Sequence, residues 1–302
     1  MESTSGADLA RSITRAGSSQ TYRIIRWLAD RDLRADAYRA YAYFRWLDDQ
    51  IDGEALSRGE RLALLHRQRG LLAYAVRGDA SAPGPEEQLL LDLLETERRA
   101  HPGLRSYLRH MMNVMAFDAA RRGATVSAQE LTAYSRHLSR AVMDGLSYFV
   151  GHDVVYPQTP DRLLAVTGAH IVHMLRDAPA DVRTGYYNVP REFLDAHRLA
   201  PQDLQAAGYR EWVRQRLQLA RRCFSLGRGY ITSFRNLRVR LAGMAYCGRF
   251  EGILRRVETN GRGPDPAVAS ERLASGSPDP SARALGRSRL LRSSRPRMDE
   301  TP

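Results

Sequence analysis

Tyr41, Arg45, Asp48 and Asp52 are spaced four, three and four residues apart, which on an α-helix puts all four side chains on one stripe. Two carboxylates one turn apart repel each other unless a cation stands between them. A hard, oxygen-only pair suits magnesium, which binds through one or two carboxylates, keeps several waters and bridges to substrate phosphates. Beside that stripe Ala40, Phe44, Leu47 and Ile51 repeat the spacing with apolar groups, so one side of the helix anchors it and the other presents charge. Asp49 sits roughly 100° around from Asp48 and can serve either side. Taken alone, such a DxxxD pattern also describes many solvated surface helices.

A second acidic pair changes that balance. Asp177 and Asp181 are again four apart, preceded by Arg176 and, at helical spacing, by His173 and His170. Two aspartate pairs on separate helices can face each other across a cavity and hold magnesium ions, while arginines neutralise the remaining charge of a diphosphate. A diphosphate held in this way is a good leaving group. If it departs from an allylic carbon it leaves a delocalised cation, which needs apolar and aromatic walls that exclude water. Tyr22, Tyr41, Phe44, Phe117, Tyr134, Tyr148, Phe149 and Tyr246 are available for such walls, although for any single one of them ordinary core packing is the first explanation. A zinc site from His170, His173 and Asp177 lacks a visible fourth ligand.

Helices must position these groups. Helical periodicity dominates from about Ser18 to Glu258, with few alternating runs that read as strands. Predicted helices cover 18–31, 34–52, 57–78, 86–99, 103–122, 128–150, 160–178, 208–232 and 235–258, punctuated by Gly53, Gly78, Gly123, Pro157, Pro160 and Pro190. The expectation is an all-α, single-domain bundle over 18–259, after an N-terminal segment 1–17. Residues 260–302 turn to Gly, Pro, Ser, Ala and Arg and are expected to form a disordered tail.

Composition narrows the class. With 43% hydrophobic and 26% charged residues, the chain of 302 can bury a core. Every one of the 46 basic residues is arginine and none is lysine, which reads as the codon bias of a GC-rich genome. The arginines are scattered and not interleaved with aromatics, so a nucleic-acid partner is not expected, although a net charge of +12 favours an anionic small substrate. Cys223 and Cys247 form no disulfide framework. No apolar run suggests a signal peptide or a membrane span, and a cytoplasmic enzyme is expected.

The two acidic motifs, in this order on a helical chain, resemble the squalene/phytoene synthase family. Tyr38 to Asp52 looks like its first aspartate-rich motif, and Met174-Leu175-Arg176-Asp177 through Asp181, followed by Gly185 and Val189-Pro190, looks like its second. The resemblance covers roughly residues 18 to 258. It implies an isoprenoid-synthase bundle with a central active-site cavity, Mg2+ held by Asp48, Asp52, Asp177 and Asp181, and an allylic prenyl diphosphate substrate. Ser18, Ser19 and Tyr22 stand where relatives place a serine and an aromatic near the diphosphate, and Tyr246 matches a tyrosine of the last helix. Tyr41, Arg45, Tyr134, Arg140 and Arg176 join them as expected substrate contacts.

The departures are informative. Relatives carry Gln and Asn where this chain has His170 and His173, and imidazole is a poor ligand for magnesium. Pro179 removes a backbone donor and disfavours continued helix, which makes Asp181 the least secure of the four acids. Asn188 stands in place of an expected tyrosine, with Tyr186 and Tyr187 adjacent. Where the family resembles Val-Ala-Gly-Thr-Val-Gly, the chain reads Leu138-Ser139-Arg140-Ala141-Val142-Met143, and Arg140 and Met143 are expected to fill the space of a second prenyl tail.

The family's usual reaction joins two prenyl diphosphates head to head. A smaller group resembling phytoene synthase transfers a prenyl chain to an aromatic acceptor such as a carbazole in bacterial secondary metabolism, and the altered segment points to that prenyltransferase reaction. His173 or His170, with an ordinary pKa near 6.5, is then the candidate base that removes the ring proton. Head-to-head condensation and a catalytically silent partner subunit are the alternatives.

Overall fold

A computed structural model describes residues 6–53, 55–74, 83–95, 101–151 and 156–259. Among these residues there are helices and no strands. The helices are α1 (Gly6–Gly17), α2 (Ser19–Leu28), α3 (Arg34–Asp52), α4 (Arg58–Tyr74), α5 (Pro85–Glu95), α6 (Pro102–Arg121), α7 (Ala128–Phe149), α8 (Leu164–Arg183), α9 (Arg191–His197), α10 (Ala207–Thr232) and α11 (Leu237–Thr259). A 3-10 turn at Pro160–Leu163 leads into α8.

Local chemistry sets several of the helix ends. Ser18 caps α2 by accepting from the Thr21 N–H at 3.1 Å. Ser127 and Glu130 form a reciprocal capping box at the start of α7. Pro102 opens α6, where its missing N–H costs nothing, and the His101 ring accepts from the Gly103 N–H. Gly185, with φ at +81°, turns the chain back after α8. Its carbonyl accepts from the Gly123 N–H at 2.7 Å, which ties the end of α8 to the end of α6.

Three features depart from the sequence expectation. Gly6–Gly17 is helical and buries Ala10 and Thr14, so part of the expected N-terminal segment joins the bundle. A short α9 forms where none was predicted. α8 continues through Pro179 to Arg183, although proline disfavours that; the bonds that close the helix, Thr184 N–H to the Ala180 carbonyl and Tyr186 N–H to the Asp181 carbonyl, lie beyond the missing donor. The expected helix ends at 78 and 99 and the tail 260–302 lie outside the described residues.

Two buried clusters carry the fold. One gathers α1 to α7 around Tyr43, Leu47, Leu90, Leu93 and Leu108. The other gathers α8 to α11 around Ile171, Val172, Phe224 and Phe250. At Gly227 on α10 an added Cβ would lie 2.6 Å from the Ala165 nitrogen of α8, so the two backbones meet with no room for a side chain. Helices α3, α6, α7 and α8 surround a cavity between them.

Candidate active site

The cavity of about 160 Å³ takes Tyr41, Phe44, Arg45, Asp48 and Asp52 from α3, and His170, His173, Met174, Asp177 and Asp181 from α8. Tyr107, Met111, Val114, Met115, Asp118 and Arg121 come from α6, and Tyr134, Leu138 and Val142 from α7. All four sequence-predicted aspartates therefore line one space. Its acids lie toward the C-terminal ends of α3 and α8. His170 is seven residues before Asp177, which on a helix is about 10 Å deeper.

The two pairs differ in their charge balance. Burial, then the neighbouring Asp52, pushes the Asp48 carboxyl well above the ordinary carboxylate range. Arg45 opposes this shift, but its guanidinium is turned onto Asp49, with bonds of 3.1 and 2.7 Å. Asp48 is thus an acid crowded by a neighbouring acid, with its nearest arginine turned onto Asp49. Asp177 is the opposite case. Burial would raise it, yet Arg176, bonded at 2.8 and 2.7 Å, outweighs burial and holds it below its usual value. Among the described residues no three acidic, histidine or cysteine groups converge on a single metal position. Asp48 and Asp52 would hold a magnesium ion, for which an oxygen-only pair is suited, and the crowding of Asp48 by Asp52 fits a cation there.

Asp181, expected to be poorly placed, is buried and held by Asn188, whose Nδ2 donates to it at 2.7 Å. The Asn188 Oδ1 in turn accepts from Arg121 at 2.7 Å. Asn188 therefore does not leave a missing contact, and Tyr186 donates its hydroxyl to Asp52 at 2.8 Å, which joins the second motif to the first. Arg121 also pairs with Asp118 at 2.8 Å and lies over the rings of Phe117, Tyr134 and Tyr186 at 5.2, 5.1 and 5.0 Å. The Tyr134 hydroxyl donates to Asp118 at 2.9 Å. Sequence reasoning missed Asp118 and Arg121; a helical Asp–Arg pair three apart is commonplace, and only burial against the motifs distinguishes this one.

The histidines divide as well. Both are buried. Arg176 can only donate, so its 2.8 Å contact makes the His173 Nδ1 an acceptor and leaves its neutral ring with the proton on Nε2. His173 thus has its Nδ1 lone pair engaged by Arg176 and not free to act as a base. The His170 ring packs edge-on against Tyr134 at 5.1 Å, and burial first, then His173, pushes its pKa down to about 3. Its Nε2 is buried with no hydrogen-bond partner.

Other expected contacts fall elsewhere. Arg140 is exposed on the outer side of α7, because it lies two residues from each of the inward Leu138 and Val142, about 200° around the helix; it does not fill the cavity. Met143 is buried and lines a second, apolar cavity of about 220 Å³ together with Leu28, Leu146, Val166, Phe234 and Tyr246. Tyr246 packs at a tilt against Phe250 at 4.8 Å, as His173 does, and its hydroxyl is buried without a partner. Tyr22 packs on Tyr38 at 5.3 Å, and neither it nor Ser18 and Ser19 lines the acid cavity. The turn holding them abuts it nonetheless, since a Cβ on Gly17 would come within 3.4 Å of the Tyr41 hydroxyl and 3.2 Å of Arg45. Arg176 does not line the cavity itself but bonds Asp177 and His173, which do.

The squalene/phytoene synthase profile matches residues 14–272, which takes in both acidic motifs and every helix from the end of α1 to α11. The chain belongs to the squalene/phytoene synthase family. With it the chain belongs to the prenyltransferases, whose family substrates are prenyl diphosphates. No curated protein sequence matches it. Among solved structures it is similar to squalene synthase HpnC from Alicyclobacillus acidocaldarius, at 19% identity and a TM-score of 0.66, covering 86% of this chain and 95% of that one. A dehydrosqualene synthase solved in complex with ligand is similar at 17% identity and a TM-score of 0.63, covering 84% and 87%. At such identities the structures establish the shared isoprenoid-synthase fold for this family member.

Proposed function

We propose that this prenyltransferase uses Mg2+ to ionise an allylic prenyl diphosphate and transfers the prenyl group to a carbon of an aromatic acceptor in secondary metabolism. The single observation that carries the acceptor is the buried, unpartnered Nε2 of His170. A buried polar nitrogen without a partner costs about 1–3 kcal/mol. Two hydrocarbon tails leave it unpaired, whereas the hydroxyl or ring N–H of an aromatic acceptor pairs with it.

Asp48 and Asp52 would hold the metal, with Asp177 and Asp181 opposite, and the ion supplies charge neutralisation for a departing diphosphate. The chain's own groups do the rest. Tyr41, Phe44 and Tyr134 shield the allylic carbon from water and present ring faces to its positive charge. The C–O bond breaks with its electron pair leaving on the diphosphate; the acceptor's ring π pair then forms the new C–C bond. The ring proton is lost last. The released diphosphate takes it, since the one lone pair of His170 is engaged by the acceptor's hydroxyl or ring N–H and a ring carbon carrying that proton beside a full positive charge is a strong acid.

Head-to-head condensation has an observation of its own: the second apolar cavity behind Met143 and Tyr246 suits a second tail. Product analysis separates the two readings. Magnesium and a prenyl diphosphate alone should give no hydrocarbon dimer, and adding carbazole, indole or phenol acceptors should give a prenylated ring, lost when magnesium is chelated. Squalene-like or phytoene-like product from the unmodified protein overturns the aromatic reading. The two free, buried cysteines suit the reducing cytoplasm proposed for it.

A further inference from the structure

Four of the large apolar side chains left in solvent lie on one face. Trp27 and Ile24 of α2 are 70% and 38% exposed, and Leu241 and Leu237 of α11 are 60% and 56% exposed. These helices run antiparallel and side by side. Gln20, early in α2, accepts from Arg249, and Asp30, just beyond its end, pairs with Arg238, so Trp27 is level with Leu241. Single exposed apolar residues need no explanation, but a contiguous group of them marks a surface that meets something apolar.

Charge identifies what that is. Residues 19–28 and 233–250 contain no aspartate or glutamate, while Arg23, Arg26 and Arg235 are exposed around the patch. An indole and leucines inside a rim of arginines match the interfacial zone of a bilayer with anionic headgroups, where the ring sits at headgroup depth and the guanidinium groups reach phosphates. Ile24 also lines the apolar cavity, so that cavity extends to the same face. Among the described residues no helix is long and apolar enough to cross a membrane, which leaves seating on the surface as the available mode.

We propose that the α2–α11 face docks on an anionic bilayer. The proposal rests on this surface alone and is independent of the acceptor. Its test uses the full chain with sedimenting vesicles, either of phosphatidylcholine or with about one-third phosphatidylglycerol, and measures no turnover. The protein should cosediment with the anionic vesicles, more weakly at high salt, and bromine on the upper acyl chain should quench emission in wild type but not in Trp27→Phe. Trp27→Glu with Leu241→Glu should bind roughly tenfold less while keeping its helical circular dichroism. Absence of binding, or equal binding by that variant, overturns the proposal. Equal binding to phosphatidylcholine overturns the anionic assignment, and a dimer that shields Trp27 from aqueous quencher without vesicles assigns the face to a second copy instead.

Discussion

As a proposed metal ligand, Asp48 sets activity against stability. Its folded pKa is raised above the unfolded value, so its contribution to stability is full when it is protonated, below the unfolded pKa, and is lost as pH rises through the folded pKa. Near neutrality without metal the fold carries this carboxyl at a cost. Asp48→Asn should therefore raise the metal-free Tm by roughly 2–4 °C, the response of a chain this size to about 1 kcal/mol, while abolishing diphosphate release. Magnesium should raise the Tm of wild type and not of the variant. Calorimetry showing a lower Tm for Asp48→Asn would remove Asp48 from the metal site. Both acidic pairs were legible in the sequence because one-turn spacing and a partner motif announce them. The inward histidines were legible as site residues, but which of them keeps a lone pair depends on the Arg176 rotamer, which no spacing encodes. Arg140 failed as an expected contact for a related reason: a resemblance aligned by residue type does not say which way a helix position faces.

At the scale of elements, the bundle depends on the close crossing of α8 and α10, because α8 carries half of the acids and both inward histidines. Gly227→Ala places a methyl group against the Ala165 backbone, which cannot move like a flexible side-chain tip. The helices must separate, and the loss should be about 2–3 kcal/mol, within the range for overpacking a tight core. A denaturant titration checks this, with the acid cavity widening enough to lower turnover as well. An unchanged midpoint would mean that the crossing is slack. Most helices were legible from their period and punctuation. α1 was not, because Ser, Thr, Gly and Arg dilute its pattern and only Ala10 and Thr14 are buried. α9, seven residues long, is too short for a period to show. Pro179 misled because local propensity is weighed against a whole helix already packed on α7, α10 and α11.

The molecule as a whole is built for neutral or mildly alkaline solution. His110 and His137 meet through their Nδ1 atoms at 2.8 Å, a contact that holds at most one proton between the rings. Burial lowers the pKa of both, His110 to about 4, and also lowers His170, to about 3, and His173. A depressed histidine is neutral in the fold and charged in the unfolded chain below about pH 6.5, so its contribution is full above that value and declines as pH falls toward the folded pKa. Four such groups should make stability fall between about pH 6.5 and pH 4 by more than the ~1.4 kcal/mol per pH unit expected of one proton. Unfolding free energies from urea titrations near neutrality and at about pH 5 measure that slope; a flat profile would show that these rings are hydrated.

Val142 and Met143 are neighbours in sequence, yet one lines the acid cavity and the other the apolar cavity. A single helix is thus the party wall between two rooms, and adjacent codons furnish different ones. Mutational drift at 143 and one turn further, at 146, can alter the volume of the apolar room while the acids, histidines and arginines of the first room stay as they are. Positions 138 and 142 can change what sits beside His170 without touching the second. The layout lets the shape of each room vary independently of the other, one substitution at a time.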